Sequence, residues 1–104
     1  MSDITVTDLA ALLPESPVIL DIREGDEYAA VHVPGVLHIP MSELLQRLPE
    51  VPTDAPVYVI CAVGGRSAQV AAYLDSTGLE AVNVFGGTVA WEQAGFAVEH
   101  GAAS

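Results

Sequence analysis

The sequence predicts an α/β fold in which a parallel sheet carries helices on both faces. Short apolar runs alternate four or five times with segments of helical spacing along the 104 residues, and this alternation is typical of such a sheet. Apolar residues make up 51% of the chain, enough for a modest packed core. We therefore expect one domain over residues 1–104, with its core at about residues 4–98 and a flexible tail at residues 99–104.

The first half of the chain predicts three strands and three helices. Strands are expected at β-branched or apolar runs, over residues 4–6, 18–20 and 36–39. Helices are expected over residues 8–13, 24–31 and 43–48. Thr7 and Ser42 are the predicted N-caps of the first and third helices, because a hydroxyl oxygen can accept from an unpaired N–H of the first turn. Tyr28 in the second helix is expected to face inward.

The second half predicts two strands and two helices around glycine-rich turns. The strands are expected over residues 57–60 and 81–85, and the helices over residues 67–76 and 88–94. The inward stripe of the longer helix is Val70, Ala71 and Leu74. Trp91 is expected on the apolar side of the last helix, which follows the turn at Gly86-Gly87.

The stretch from Cys61 to Ser67 is the candidate functional site. It lies where a buried strand ends and a helix begins, at the edge of a parallel sheet where ligands bind. Gly64 and Gly65 allow the loop to curl tightly, because glycine accepts positive φ at little cost. Such a loop can direct several N–H groups at one point, and with the positive end of the helix dipole it should lower the pKa of the Cys61 thiol.

The loop suits a nucleophilic thiolate that forms a covalent intermediate. Arg66 can hold an oxyanion or fix the loop through a carboxylate, and Ser67 can cap the following helix. Phosphotyrosine-type phosphatases and arsenate reductases resemble this arrangement but place five residues between cysteine and arginine, whereas four separate Cys61 from Arg66. The shorter loop should enclose a smaller group than a tetrahedral oxyanion, and a persulfide on Cys61 is the natural occupant.

Composition excludes several other classes of function. The chain has 14 acidic residues against three basic ones and a formal net charge of −11, so neither nucleic acid nor an anionic membrane surface is an expected partner. One cysteine permits no internal disulfide, and the histidines lack metal-ligand spacing, so no metal and no other cofactor is expected. His32 and His38 are instead expected to hydrogen-bond loop carbonyls. With no visible signal peptide or membrane-spanning run, the predicted location is the cytoplasm.

Several short motifs follow one another along the chain at suitable spacing. They are Leu20 to Glu24 with Glu27-Tyr28, His32 to Gly35, His38 to Pro40, Cys61 to Ser67, and Gly86-Gly87 with Trp91. Together these motifs resemble those of single-domain rhodaneses, the thiosulfate sulfurtransferase family, over about residues 4–98. The resemblance implies a rhodanese-like fold with a five-stranded parallel sheet.

The resemblance also implies a two-step transfer of sulfur. Cys61 would attack the outer sulfur of a donor such as thiosulfate and become a persulfide, and an acceptor such as cyanide or another thiol would then remove that sulfur. The backbone that cradles the persulfide would be Ala62, Val63, Gly64, Gly65, Arg66 and Ser67. Arg66 would stabilise both the loop and the charge. Asp21 and Arg23, at the end of a neighbouring strand, would brace the loop by an ion pair or form a structural turn network.

Three positions depart from the family pattern. The residue after the cysteine is often basic and the next is often polar, whereas this chain has Ala62 and Val63. Val31 stands where glycine is common, before His32, and implies a local change of backbone. The mouth of the site is therefore expected to be apolar, which favours a neutral donor, a thiol-bound donor or a protein partner over the thiosulfate dianion.

Three classes of function remain open at this point. The first is a sulfurtransferase that acts on a small sulfur donor and a thiol or cyanide acceptor. The second is a persulfide carrier or rhodanese-like binding module that takes sulfur from one protein and gives it to another. The third is a cysteine-based phosphatase or arsenate reductase, which the length of the loop disfavours.

Overall fold

The computed structural model describes residues 2–102, whose five strands form one sheet. The strands are β1 (Ser2–Ile4), β2 (Val18–Asp21), β3 (Leu37–His38), β4 (Val57–Ile60) and β5 (Ala81–Val84). They lie in the order β1-β5-β4-β2-β3, and each neighbouring pair is parallel. The predicted α/β fold with about five parallel strands is confirmed.

Helices cover both faces of this sheet, as predicted. The α-helices of the described residues are α1 (Val6–Leu12), α2 (Gly25–Ala30), α3 (Leu44–Arg47), α4 (Gly65–Ser76) and α5 (Gly87–Gln93). Leu9 of α1 and Trp91 of α5 are buried against one face together with Ile60, whereas Leu74 of α4 is buried against the other face with Val59. Successive side chains of β4 thus enter different clusters, because side chains alternate across a strand.

The first helix begins earlier than predicted. Its N-cap is Thr5, whose Oγ1 accepts a hydrogen bond from the Asp8 N–H at 3.1 Å. The predicted cap, Thr7, lies inside the first turn, because β1 ends at Ile4 and leaves Thr5 in the extended conformation that a cap requires.

The third helix is shorter than predicted and has a different start. The 3₁₀ turns Met41–Glu43 and Leu48–Glu50 flank its single α-helical turn. Ser42 is not its cap, because the Ser42 hydroxyl donates instead to the Glu24 carboxylate at 2.8 Å. This bond ties the start of α3 to the N-cap residue of α2.

The chain beyond residue 98 lies alongside the end of α2. Glu99 pairs with His32 as an antiparallel bridge, and the Gly101 N–H donates to the Ala29 carbonyl at 2.8 Å. Hydrogen bonds to the rest of the fold therefore continue into the predicted tail, of which residues 103 and 104 lie outside the described residues.

Over residues 2–102, no helix has the length and apolar character needed to cross a bilayer.

Candidate functional site

The cysteine loop lies at the carboxyl ends of three neighbouring strands. Cys61 directly follows β4, which β2 and β5 flank in the sheet. Asp21 at the end of β2 pairs in register with Ile60, and Asn83 of β5 pairs with Val59. The site thus occupies the edge of the sheet at which open α/β proteins bind ligands.

Hydrogen-bond donors of the loop converge on the Cys61 sulfur. The backbone nitrogen of Gly64 lies 3.1 Å from Sγ and that of Ser67 lies 3.4 Å from it. The Ser67 hydroxyl oxygen is a further 3.2 Å contact of the sulfur. Cys61 is only 1% exposed, so these donors take the place of water around the thiol. The geometry is that of the anion-binding nest expected from the sequence.

These contacts determine the direction in which the Cys61 pKa moves. Burial has the largest single effect and raises the pKa of the thiol. Hydrogen bonds from the Ser67 hydroxyl and from the N–H groups of Ser67, Gly64 and Val63 lower it and together outweigh burial. The pKa of Cys61 therefore lies below its ordinary value of 9.0, as expected of a reactive thiol.

The amino terminus of α5 holds the loop from the opposite side. The Thr88 N–H donates to the Cys61 carbonyl at 2.9 Å, and the Val89 N–H donates to the Ala62 carbonyl at 3.0 Å. The Ala62 carbonyl and the Val63 N–H belong to the same trans peptide, so they point in opposite directions. Because the carbonyl points to α5, the N–H points to the sulfur.

Two glycines make this arrangement possible. Gly87 has a φ of +59°, and a Cβ on it would collide with the carbonyl groups of Cys61 and Ala62. Gly64 has a φ of +108° and is the N-cap residue of α4. The predicted cap, Ser67, is instead inside the first turn of α4, where its hydroxyl contacts the sulfur.

Ser67 also connects the sulfur to β5. Its hydroxyl donates to Oδ1 of Asn83 at 2.5 Å, and both residues are buried. Asn83 was not among the candidates taken from the sequence. The signal that points to it is a polar residue in a strand whose other positions, Ala81, Val82 and Val84, are apolar and buried.

Arg66 is paired with a carboxylate of α2. Its two terminal nitrogens each lie 2.8 Å from an oxygen of Glu27. The guanidinium lowers the pKa of Glu27 from 4.5 to about 2, and the pKa of Arg66 rises in turn. Of the two roles predicted for Arg66, this geometry matches the one in which it fixes the loop through a carboxylate. Glu27 lies in one of the motifs of the sequence, but nothing in the sequence pairs it with Arg66.

Asp21 and Arg23 form a buried ion pair with each other. Arg23 Nη2 lies 2.9 Å from Asp21 Oδ2, and the same guanidinium donates to the carbonyls of Glu27 and Val31 at 3.2 and 2.6 Å. The pair therefore holds α2, and α2 presents Glu27 to Arg66. The side-chain hydrogen bonds of Arg23 are thus connected to the cysteine loop through Glu27.

The surface beside the loop is apolar, as the sequence predicts. The side chain of Val63 is 67% exposed, and that of Phe85, just before the turn that leads into α5, is 66% exposed. The positive charge of Arg66 is shared with Glu27. An incoming anion therefore meets backbone N–H groups rather than a free cation of this loop.

The two motif histidines hydrogen-bond backbone carbonyls, as expected. His32 Nδ1 lies 2.9 Å from the Tyr28 carbonyl, and His38 Nε2 lies 2.7 Å from the Arg23 carbonyl. The Tyr28 ring stacks between the two imidazoles at centroid distances of 3.8 and 4.2 Å, which confirms its inward orientation. In the described part of the chain, no three His, Cys, Asp or Glu side chains come together as a metal site.

Comparison with known sequences gives a consistent set of relatives. The family described as Rhodanese-like domain matches residues 5–94. The putative sulfurtransferase YtwF of Bacillus subtilis is 37% identical over 78 residues, covering 75% of this chain and 76% of that protein. The thiosulfate sulfurtransferase GlpE of Tolumonas auensis is 38% identical over 90 residues, covering 85% of each. The putative sulfur carrier protein YrkF of Bacillus subtilis is 41% identical over 78 residues, covering 74% of this chain and 42% of that protein.

Solved structures give the same result. The crystal structure of a rhodanese-related protein from Thermoplasma volcanium matches with a TM-score of 0.90 at 32% sequence identity. The match covers 95% of this chain and 98% of that one, so the shared fold extends over nearly the whole chain.

Proposed function

The chain belongs to the Rhodanese-like domain family, and we propose that it is a sulfurtransferase that carries a sulfane sulfur as a persulfide on Cys61. The observation that carries this proposal is the convergence of the Gly64 N–H, the Ser67 N–H and the Ser67 hydroxyl on the Cys61 sulfur. The two backbone N–H groups are fixed in advance, so they stabilise negative charge on this sulfur without reorganisation. The attacking thiolate carries its negative charge on this sulfur, and the persulfide anion carries it on the added outer sulfur.

The proposed reaction balances without an external oxidant or reductant. The Cys61 thiolate attacks the outer sulfur of thiosulfate, a new S–S bond forms, and sulfite leaves with the electron pair of the broken bond. Cyanide or a thiolate then attacks the outer sulfur of the persulfide, and the Cys61 thiolate is the leaving group. The N–H groups of Gly65 and Arg66 belong to the first turn of α4, where they have no partner within the helix. They are available to the outer sulfur.

The remaining site residues act by holding this geometry. We assign Arg66 to fixing the loop through Glu27, and Asp21 and Arg23 to positioning α2, which carries Glu27. The partners implied are a small sulfur donor and a thiol or cyanide acceptor, or proteins that fill these roles.

Intact-mass measurement tests the covalent intermediate directly. After incubation with excess thiosulfate and no reductant, the protein should gain about 32 Da, the mass of one sulfur atom, as covalent catalysis requires. Cyanide should then remove the added mass. The control is Cys61→Ser, with its fold checked by circular dichroism because the residue is buried. Sulfur transfer retained by a folded Cys61→Ser variant would contradict the proposal.

A persulfide carrier is the second candidate, and the apolar surface favours it. Val63 and Phe85 are exposed beside the loop, and Arg66 is already engaged by Glu27, so a dianion such as thiosulfate gains little local attraction. A carrier should load slowly from thiosulfate but readily from a small organic persulfide, and it should then pass the sulfur to a thiol. Comparing the two donors by intact mass distinguishes the candidates. Rapid turnover of thiosulfate with cyanide would favour the enzyme.

A further inference from the structure

The hydrogen bonds around Ser67 cannot all be made at once when Cys61 is ionised. The Ser67 hydroxyl has one hydrogen and two neighbours that can accept it, namely Oδ1 of Asn83 at 2.5 Å and the Cys61 sulfur at 3.2 Å. With the hydrogen directed at Asn83, the sulfur contributes a hydrogen of its own to Ser67, so Cys61 is a thiol. A thiolate has no hydrogen to give, and it requires the Ser67 hydrogen to turn toward it.

Rotation of the Asn83 amide resolves this conflict. The oxygen and nitrogen of an amide occupy nearly the same volume, but the oxygen accepts and the nitrogen donates. If the amide turns by half a rotation, its NH₂ group donates to the Ser67 oxygen, and the Ser67 hydrogen is free for the sulfur. Neither orientation leaves the Ser67 oxygen without a partner, which matters because an unpaired buried polar group is costly.

We propose that Asn83 is a positioning residue that acts through Ser67, turning its amide as Cys61 changes between thiol and thiolate. The inference deepens the proposed function, because the thiolate is the species that attacks the sulfur donor. Its geometric basis is a continuous buried path from β5 to the sulfur: Asn83 is 5% exposed, Ser67 is 0% exposed and Cys61 is 1% exposed.

The charged groups already present around the sulfur are the same in every variant that tests this proposal, and only Asn83→Asp adds a new one. Arg66 of α4 and Asp21 at the end of β2 are held in ion pairs by Glu27 and Arg23 respectively. Toward the loop, β5 and α5 present the uncharged side chains of Asn83 and Thr88. A change in the ionisation of Cys61 on substitution of Asn83 is therefore not caused by losing one of these charges.

Two substitutions of Asn83 should act differently on the thiol. Asn83→Asp places an oxygen that only accepts at this position, so it keeps the Ser67 hydrogen away from the sulfur. The midpoint of Cys61 ionisation should then rise by about one to two pH units, the range for losing a hydrogen bond to a charged group. Asn83→Leu removes the competing acceptor, and its midpoint should not rise.

The readout is the rate of Cys61 alkylation by iodoacetamide as a function of pH, because the thiolate is the reacting species. This measurement requires no sulfur transfer, so it tests the role of Asn83 even if the proposed function fails. The control is to introduce Asn83→Asp into a Ser67→Ala background, which lacks the hydroxyl. There Asn83→Asp should raise the midpoint of Cys61 ionisation much less, whereas a direct effect of the added charge on the sulfur would persist. An equal rise for Asn83→Asp and Asn83→Leu, or an undiminished effect of Asn83→Asp in the Ser67→Ala background, would overturn the proposal.

A measurement on the unsubstituted residue covers the case in which a variant does not fold. In ¹⁵N-labelled wild-type protein, the side-chain amide signals of Asn83 should shift with the same pH midpoint as Cys61 alkylation. The same signals should show no such transition in Cys61→Ser. Signals of Asn83 that stay constant through the ionisation of Cys61 would show a fixed amide and contradict its rotation.

Discussion

Replacing Gly87 with alanine tests whether the close approach of α5 holds the cysteine loop in shape. Gly87 has a φ of +59°, a conformation that costs a residue with a Cβ about 1–2 kcal/mol. The added Cβ would also collide with the carbonyl groups of Cys61 and Ala62. These are backbone atoms, so they cannot rotate away as a side chain would, and the loop and α5 must separate.

The expected loss of stability follows from what that separation breaks. The Thr88 N–H and the Val89 N–H donate to the carbonyls of Cys61 and Ala62, and each bond contributes about 1 kcal/mol. Together with the conformational cost, Gly87→Ala should lower the free energy of unfolding by about 3–4 kcal/mol. This is a large part of the total for a small domain, which is about 5–15 kcal/mol.

Gly95→Ala is the matched control just beyond the other end of α5. Gly95 also has a positive φ, of +82°, but an added Cβ there meets nothing within 4 Å. It therefore carries only the conformational cost, about 1–2 kcal/mol. A difference of about 2 kcal/mol between the two variants corresponds to about 8–16 °C in Tm for a domain of this size. The difference in Tm is measured by thermal unfolding, with circular dichroism as the signal.

The same pair of variants separates a local effect on the site from general destabilisation. At a temperature where both variants are folded, alkylation of Cys61 should be slowed in Gly87→Ala and unchanged in Gly95→Ala. An equal decrease in Tm for the two variants would refute this explanation, because the collision between the added Cβ and the loop would then contribute nothing to the loss of stability.

The remaining predictions concern the charges of the site. Glu27→Gln should lower stability at pH 7 by less than about 1 kcal/mol, because the pair with Arg66 is about one third exposed. The pKa of Glu27 falls from 4.5 to about 2 on pairing, so this contribution is present above pH 4.5 and is lost as the pH falls toward 2. Urea unfolding midpoints of wild type and Glu27→Gln should therefore converge in that interval, and a difference that persists at pH 2 would argue against the pair as its source. Glu27→Gln should also slow Cys61 alkylation, whereas Glu50→Gln, which breaks an exposed pair with Arg47, should not. Val63→Lys adds a cation at the mouth of the site and should raise kcat/KM for thiosulfate up to about tenfold, from the attraction between a cation and a dianion in water. The rate with an uncharged persulfide donor serves as its control, and an equal gain for both donors would exclude an electrostatic cause.

Apolar runs were sufficient to predict β4 and α4 from the sequence, because a buried parallel strand and an amphipathic helix both produce strong local patterns. The position of Cys61 between them followed directly. Helix caps were harder to predict, since Thr5 and Thr7 are equally suited to the role. The choice between them depends on where β1 stops pairing with β5, which is a property of the sheet and not of the local sequence.

The contacts that define the chemistry of the site could not be predicted from local sequence patterns. Arg66 and Glu27 are 39 positions apart, and Ser67 and Asn83 are 16 positions apart. Each pair meets only because the order of the strands places their elements side by side. The motifs that resemble those of rhodaneses include Glu27 but did not place it at the site, and its bond to Arg66 emerges only from the three-dimensional arrangement.

The burial of Cys61 limits which molecules can react with it, and the limit differs between the free thiol and the persulfide. The free thiol is 1% exposed, so access to it is limited to small, slender reagents. A persulfide on Cys61 would place the reactive atom one S–S bond, about 2 Å, beyond the buried sulfur. The protein should therefore discriminate by size when it is loaded and be more permissive when it is unloaded. We expect the same asymmetry to limit the formation of mixed disulfides between the resting thiol and large proteins.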